Sequence, residues 1–266
     1  MKSSTKQMLR KLGLNVSRFR PEPYDYLLDT PRYKELVVKL LGQDFKIADS
    51  TSYHYSFQEI FSQGIYKFSS PHKKPIIVDC GSNYGTSIVY FKSIYPEAKI
   101  IGVEADPKIF NLLQWNIQSR NYQDVTLINK AVMADANGET VKFHSDGADG
   151  GRVFTMNDNK GITEVESIHI NELFSEPIDL LKIDIEGAET DVICSCDRLQ
   201  DVSQIFIEYH SFKDSKQTLN LILDKLISNG FRYYIHTIGC SPRPFTEERD
   251  YLGMDLQLNI FAVKMS

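Results

Sequence analysis

The stretch from Pro75 to Asp106, PIIVDCGSNYGTSIVYFKSIYPEAKIIGVEAD, constrains the fold more than any other part of the chain. Ile76-Ile77-Val78 is a short β-branched run of the kind expected in a strand buried on both faces. It stops at Asp79, and Gly81 and Gly85 bracket a turn. From Ile88 apolar residues recur at helical spacing (Ile88, Phe91, Tyr95) until Pro96 ends the pattern. A second β run, Lys99 to Val103, finishes at Glu104, and Asp106-Pro107 supplies an N-cap and a proline for the first helical position. Strand, glycine turn, helix, strand, acidic residue is the repeating half of a doubly wound parallel sheet, which holds a nucleotide outside the carboxyl ends of its strands.

The turn itself narrows the choice of nucleotide. A dinucleotide site needs G-x-G-x-x-G, whose middle glycine lets the backbone approach a pyrophosphate. Here the order is Asp79-x-Gly81-x-x-x-Gly85, with Asn83 at the middle position. No Gly-Lys-Ser/Thr follows, so a Walker-type phosphate loop is absent too. An acidic residue opening the turn suggests a cationic ligand group, and a nicotinamide-dependent dehydrogenase ranks last among the readings.

The chain divides into an N-terminal extension or cap over residues 1–70 and a Rossmann-like α/β domain over 71–266, with an insert at about 139–170. Lys2, Lys6, Arg10, Lys11, Arg18 and Arg20 stand among Met8, Leu9, Leu12 and Leu14, the pattern of a basic amphipathic leader. Tyr33 to Leu41 has helical apolar spacing, Phe45 to Ala48 reads as a strand, and Tyr55 to Phe61 as a short helix ending near Gly64. Past Asp106, a helix with Phe110, Leu113 and Ile117 on one face leads to a strand at Val125 to Ile128. Asn129-Lys130-Ala131-Val132 follows at its carboxyl end. Glu139 to His144 and Thr163 to Ile170 alternate as an inserted hairpin around the Gly- and Asp-rich loop at 146–151. Buried strands are expected at Ile178 to Ile183 and Ile205 to Ile207. A helix carries Leu219, Ile222, Leu223, Leu226 and Ile227, and a closing strand pair runs over Phe231 to His236 and Leu258 to Val263. The sheet is therefore mostly parallel with an antiparallel C-terminal strand.

Net charge is -5, which leaves no basic excess for phosphates and argues against a nucleic-acid binder. No apolar run approaches the length of a membrane span. Cys80, Cys194, Cys196 and Cys240 form no C-x-x-C pair and read as reduced thiols of a cytoplasmic protein.

With VDCGSNYG, EADP, NKAV, KIDIEGAE (Lys182 to Glu189) and IEYH in view, the chain resembles the FkbM family of S-adenosylmethionine-dependent, class I methyltransferases. KIDIEGAE discriminates, because the glycine turn is common to the whole class. The resemblance implies methyl transfer to a hydroxyl of a sugar, glycan precursor or secondary metabolite. It implies a donor site made by Asp79, Gly81, Ser82, Asn83, Gly85, Glu104, Ala105, Ala131 and Asp184. In it the two glycines give room for the methionine part and Glu104 takes the ribose hydroxyls.

A hydroxyl acceptor needs its proton removed, and a positioned base contributes about 10²–10⁴-fold. His210 is the first candidate base, since its ordinary pKa lies near neutrality. Asp184 and Glu186 are compatible with three roles: orienting the acceptor or the methionine amine, acting as base, or, together with Glu208, holding Mg²⁺ or another divalent cation. Glu208, two residues before His210 on a strand, points the same way. A non-catalytic adenosine-binding regulatory module is the alternative from another class.

Overall fold

A computed structural model describes residues 23–144, 152–153, 162–248 and 250–265. The basic segment over 1–20 and the loop at 146–151 lie outside the described residues. Residues 33–41, expected as a helix, instead hold strand β1 (Leu36–Leu40), paired antiparallel with β2 (Gln43–Ile47). Leu36, Val38 and Leu40 also share a period of two, and Val38 and Leu40 are buried while Val37 is exposed. Leu41 and Gly42 both take positive φ, 50° and 81°, which suits the two-residue turn of a right-twisted hairpin. The turn decides between two periods that so short a run does not separate.

Asp49 then caps helix α1 (Ser50–Phe57) by accepting from the Ser52 N–H, and a π-helical stretch, Gln58–Gln63, carries it on to Gly64. The alternating core follows: β3 (Ile76–Cys80), α2 (Thr86–Ile94), β4 (Lys99–Val103), α3 (Pro107–Gln118) and β5 (Val125–Ile128). Asp106 caps α3 through the Lys108 and Ile109 N–H groups with Pro107 next to it, as its sequence predicts.

The insert is larger than a hairpin. β7 (Thr140–His144) and β9 (Ile162–His169) pair antiparallel as expected, but β6 (Ala131–Met133) joins β9 in parallel and β8 (Arg152–Val153) joins β7. The chain then returns to the main sheet through β10 (Ile178–Ile183), α4 (Glu189–Ser195), β11 (Val202–Phe212), α5 (Leu219–Ser228), β12 (Phe231–Gly239) and β13 (Met254–Lys264).

The seven main strands stand in the order β12-β13-β11-β10-β3-β4-β5, with β13 antiparallel to both neighbours. One apolar core lies between the sheet and α4 and α5, built on Val192, Ile193, Ile222 and Leu226. The other lies between the sheet, α2, α3 and the N-terminal hairpin, built on Phe45, Tyr53, Ile88 and Leu113. β3 pairs with β4 on one side and β10 on the other, so the winding reverses between β3 and β10. A crevice at the carboxyl ends of the strands opens there.

Candidate active site

Chain reversal after β3 is fixed by backbone bonds to its neighbours. The Gly81 and Ser82 N–H groups both donate to the Val103 carbonyl at 2.9 Å, and the Gly85 N–H returns to Ser82 O. The Asn83 N–H donates to Glu104 Oε2 at 2.8 Å, and the Asp106 N–H to Oε1 at 2.9 Å. Asn129, at the end of β5, donates from Nδ2 to the carbonyls of Glu104 and Ala105 and so ties down this edge. Each Glu104 oxygen keeps capacity for a second hydrogen bond, the acceptor pair that a vicinal diol requires. Burial pushes the Glu104 carboxyl up to about 7, against the pull of the two N–H donors. Ser82, Asn83, Glu104, Ala105 and the buried Ala131 all line one cleft of about 580 Å³.

Three expectations for the turn are corrected. Gly81 has φ 81°, and a Cβ there would lie 1.7 Å from the Asp184 carbonyl oxygen. The room it provides is taken by the end of β10, although its backbone still borders the cleft. Gly85, at φ 95°, faces α3, where an added Cβ would meet Leu113 at 2.8 Å and Ile117 at 3.3 Å. It contributes helix packing rather than a ligand contact. Asp79 is fully buried. It meets Lys182 Nζ at 3.1 Å and accepts from Ser87 Oγ at 2.5 Å, so its cationic partner belongs to the chain.

Lys182 organises the other half of the crevice. Its side chain is 2% exposed. Its ammonium donates to Gly81 O at 2.8 Å and lies 3.4 Å from Asp184 Oδ2. Burial works against its charge, but Asp79, Tyr66 and Asp184 outweigh that and hold its pKa well above the lysine range. Burial, then the Glu208 carboxylate, push Asp184 up to about 7, while Lys182 and His210 pull it down.

His210 does not fit the role of base. Nδ1 lies 2.9 Å from Glu189 Oε1, and Nε2 lies 3.6 Å from both Glu186 Oε2 and Glu208 Oε1. Burial opposes its charge, yet Glu186 and Glu189 hold its pKa well above the usual histidine value. Its ring stands buried among three carboxylates, which favour the imidazolium form. Glu189, not foreseen as a site residue, is buried and also accepts from the Ile185 and Gly187 N–H groups. It shapes the turn on which Glu186 sits at φ 57°. Burial raises Glu186 well above the carboxylate range, whereas His210 and Gln257 draw Glu208 below it against burial. Asp184, Glu208 and His210 offer ligand atoms within 4.8 Å of one another, but the two internal cations, Lys182 and His210, already stand against these carboxylates.

These shifts fix the sign of a stability profile. Glu104 moves from 4.5 in the unfolded chain to about 7, Asp184 from 3.8 to about 7, and His210 also rises. Across that window the folded state holds more protons than the unfolded one. The stability these groups contribute is complete below their unfolded values and is lost as pH rises through the folded ones. Thermal melts are expected to show Tm falling between pH 5 and pH 8 (roughly the span of these shifts); a Tm that rises across it contradicts these assignments.

Residues 79–233 match the family model described as "Methyltransferase FkbM domain". Methyltransferase 1 of Beauveria bassiana (strain ARSEF 2860) is 24% identical over 259 residues, which takes in 86% of this chain and 98% of that protein. Methyltransferase sdnD of Sordaria araneosa is 33% identical over 78 residues, covering 26% of this chain and 30% of its own. Among solved structures, methyltransferase FkbM from Methylobacillus flagellatus KT superposes with a TM-score of 0.46 at 16% identity, over 75% of this chain and 46% of that one. M. jannaschii TYW2 in complex with AdoMet gives 0.49 at 13% identity, over 88% and 89%. The mostly parallel sheet with its switch-point crevice is Rossmann-like, and the family match makes the chain a class I, S-adenosylmethionine-dependent methyltransferase. Since the family match covers more than half of its length, the chain belongs to the FkbM methyltransferases.

Proposed function

We propose that the chain is a cytoplasmic O-methyltransferase that methylates a hydroxyl of a small molecule, either a sugar or glycan precursor or a secondary metabolite. The observation that carries this reading is the Asp184 carboxylate, which lines the crevice 3.4 Å from Lys182 Nζ, where burial pushes it up to about 7. A base poised near neutral pH is what removal of a hydroxyl proton requires. S-adenosylmethionine, when bound, supplies a methyl group on a sulfonium already activated for displacement. Glu104 takes the ribose hydroxyls of the donor, and Ser82, Asn83, Ala105 and Ala131 form the wall around its adenosine part. Asp184 accepts the acceptor's hydroxyl proton at a carboxylate oxygen, and the Lys182 ammonium keeps that carboxylate in place. Glu186 and Glu208 border the cleft beside it and orient the acceptor's remaining polar groups. Residues before 71 act as a cap, with Tyr55 and Glu59 reaching the cleft from α1 and the π-helical stretch. Holding the reactants together in this crevice provides much of the remaining acceleration.

No helix among the described residues is long and apolar enough to cross a membrane. Of Asp184, Glu186 and Glu208, expected to hold a divalent cation, Asp184 and Glu208 group with His210 as possible ligands and Glu186 does not join them. We favour the metal-independent form, because both ring nitrogens of His210 stand beside carboxylates and Lys182 stands against Asp184. A panel of hydroxyl-bearing small molecules incubated with methyl-labelled donor tests the proposal. A labelled methyl ether formed equally well in excess chelator is expected. Methylation at nitrogen or carbon overturns the hydroxyl assignment, and loss to chelator with recovery on Mg²⁺ establishes the metal-dependent form.

A further inference from the structure

We infer that Tyr66 is a catalytic residue of the transfer, its phenol donating a hydrogen bond to the acceptor oxygen that Asp184 deprotonates. A turn closed by the Lys67 N–H on Gly64 O carries Tyr66 from the end of the π-helical stretch onto the sheet. There its ring packs edge-on against Phe206 of β11, with centroids 4.8 Å apart, and against Phe91 of α2 at 5.9 Å. Both partners are buried, and Tyr66 itself is 6% exposed. The ring is held, but its hydroxyl makes no hydrogen bond to a described residue, although Tyr66 lines the crevice. A hydroxyl this enclosed needs a partner, and at the wall of a cleft a ligand supplies it. Tyr55 and Tyr251 line the same crevice but are more than half exposed, within reach of water.

The neighbours decide which ligand atom that is. Tyr66 stands on the β10 and β11 side of the crevice, across β3 from Glu104, with Lys182 Nζ 5.6 Å from its ring centroid. It therefore faces the acceptor rather than the ribose. Neighbouring donors are already engaged: Lys182 by Gly81 O, Asp79 and Asp184, and Gln257 Nε2 by Glu208. Asp184 and Glu208, when ionised, only accept. Burial holds the phenol above the ordinary tyrosine value against the Lys182 ammonium, and Asp184 and Glu208 add to it, so Tyr66 meets the acceptor as a donor. A hydroxyl oxygen carries one proton and two lone pairs. With the proton on Asp184 and one lone pair on Tyr66, the other lone pair is left to face the methyl carbon. In the transfer that lone pair forms the C–O bond, the proton passes to Asp184, and the electrons of the broken C–S bond stay on sulfur. The phenol thus aims the nucleophile and stabilises the charge that develops on it.

This inference rests on a hydroxyl being methylated beside Asp184, and the test separates the two. Wild type, Tyr66→Phe and Asp184→Asn are assayed with methyl-labelled S-adenosylmethionine against methyl glycosides, alkyl alcohols and phenols. The best acceptor of that set is then taken to full kinetics. Tyr66→Phe keeps the ring against Phe91 and Phe206 and removes only the donor. It is expected to lower kcat by about 10–100-fold, the size of a hydrogen bond to a charged group. Binding of S-adenosylhomocysteine and Tm should stay as in wild type, and the rise of rate with pH through about 7 should remain, because Asp184 sets it. Wild-type kcat in Tyr66→Phe with Asp184→Asn slowed overturns the role of Tyr66 and leaves that of Asp184 standing. A slow Tyr66→Phe that has also lost donor binding, stability or the pH limb overturns it too. Wild-type rates in both variants, or no hydroxyl methylated by wild type, overturn both.

Discussion

Asp184→Asn is expected to lower methyl transfer by about 10²–10⁴-fold, the range contributed by a positioned base, with S-adenosylhomocysteine binding nearly unchanged. The substitution keeps the size of the side chain but removes its ability to take a proton. It leaves the Asp184 carbonyl against Gly81, so the turn is undisturbed. In wild type the carboxylate must be ionised to act, so transfer should rise with pH through about 7 and be lost below it. The variant's residual rate should lack that limb. A variant with wild-type turnover would move the base elsewhere. His210→Gln makes the contrast, since the ring's place between Glu186, Glu189 and Glu208 assigns it to supporting these carboxylates.

The second large effect concerns folding. Lys182→Met leaves Asp79, fully buried, and Asp184 without their ammonium. Breaking a buried pair by removing one partner costs about 3–5 kcal/mol, because a charge is left uncompensated. For a chain of this size that corresponds to a drop in Tm of about 10 °C. Replacing both partners, Asp79→Asn with Lys182→Met, should recover a large part of the loss, since a buried pair contributes little net stability over a neutral replacement. A double variant no more stable than the single one would show that Lys182 acts mainly through its bonds to Gly81 O and Asp184.

Much of this site was legible in the chain because it is local. The strand-turn-helix from Pro75, the cap at Asp106 and the acidic end of β4 follow from short-range rules, and the structure reproduces each. The paired direction of Glu208 and His210 followed from strand alternation, and Gln257 Nε2 donates to Glu208 Oε1 at 2.6 Å on the neighbouring strand. What was hidden is tertiary. Asp79 looked like a ligand group because it opens the glycine turn; its partner, Lys182, stands across the β3–β10 pairing. His210 looked like a base because its ordinary pKa suits one, and only the fold brings Glu186 and Glu189 to it. The role of Gly81 likewise depends on a carbonyl from a distant strand. Lys182 and Glu189 did leave a signal, two charged residues bracketing an otherwise strand-to-helix segment, which burial turns into an ion-pair network. In the N-terminal hairpin the miss was one of period, settled by the positive φ angles at Leu41 and Gly42.

The central claim is that the crevice around Glu104 is the donor site, and calorimetric titration with S-adenosylhomocysteine, for wild type and Glu104→Ala and with NAD⁺ as control, tests it most directly. Saturable binding by wild type, weakened about a hundredfold by Glu104→Ala through loss of two charge-assisted bonds to the ribose, is the predicted result. Equal binding by the two proteins, or tighter binding of NAD⁺ than of S-adenosylhomocysteine, would contradict it.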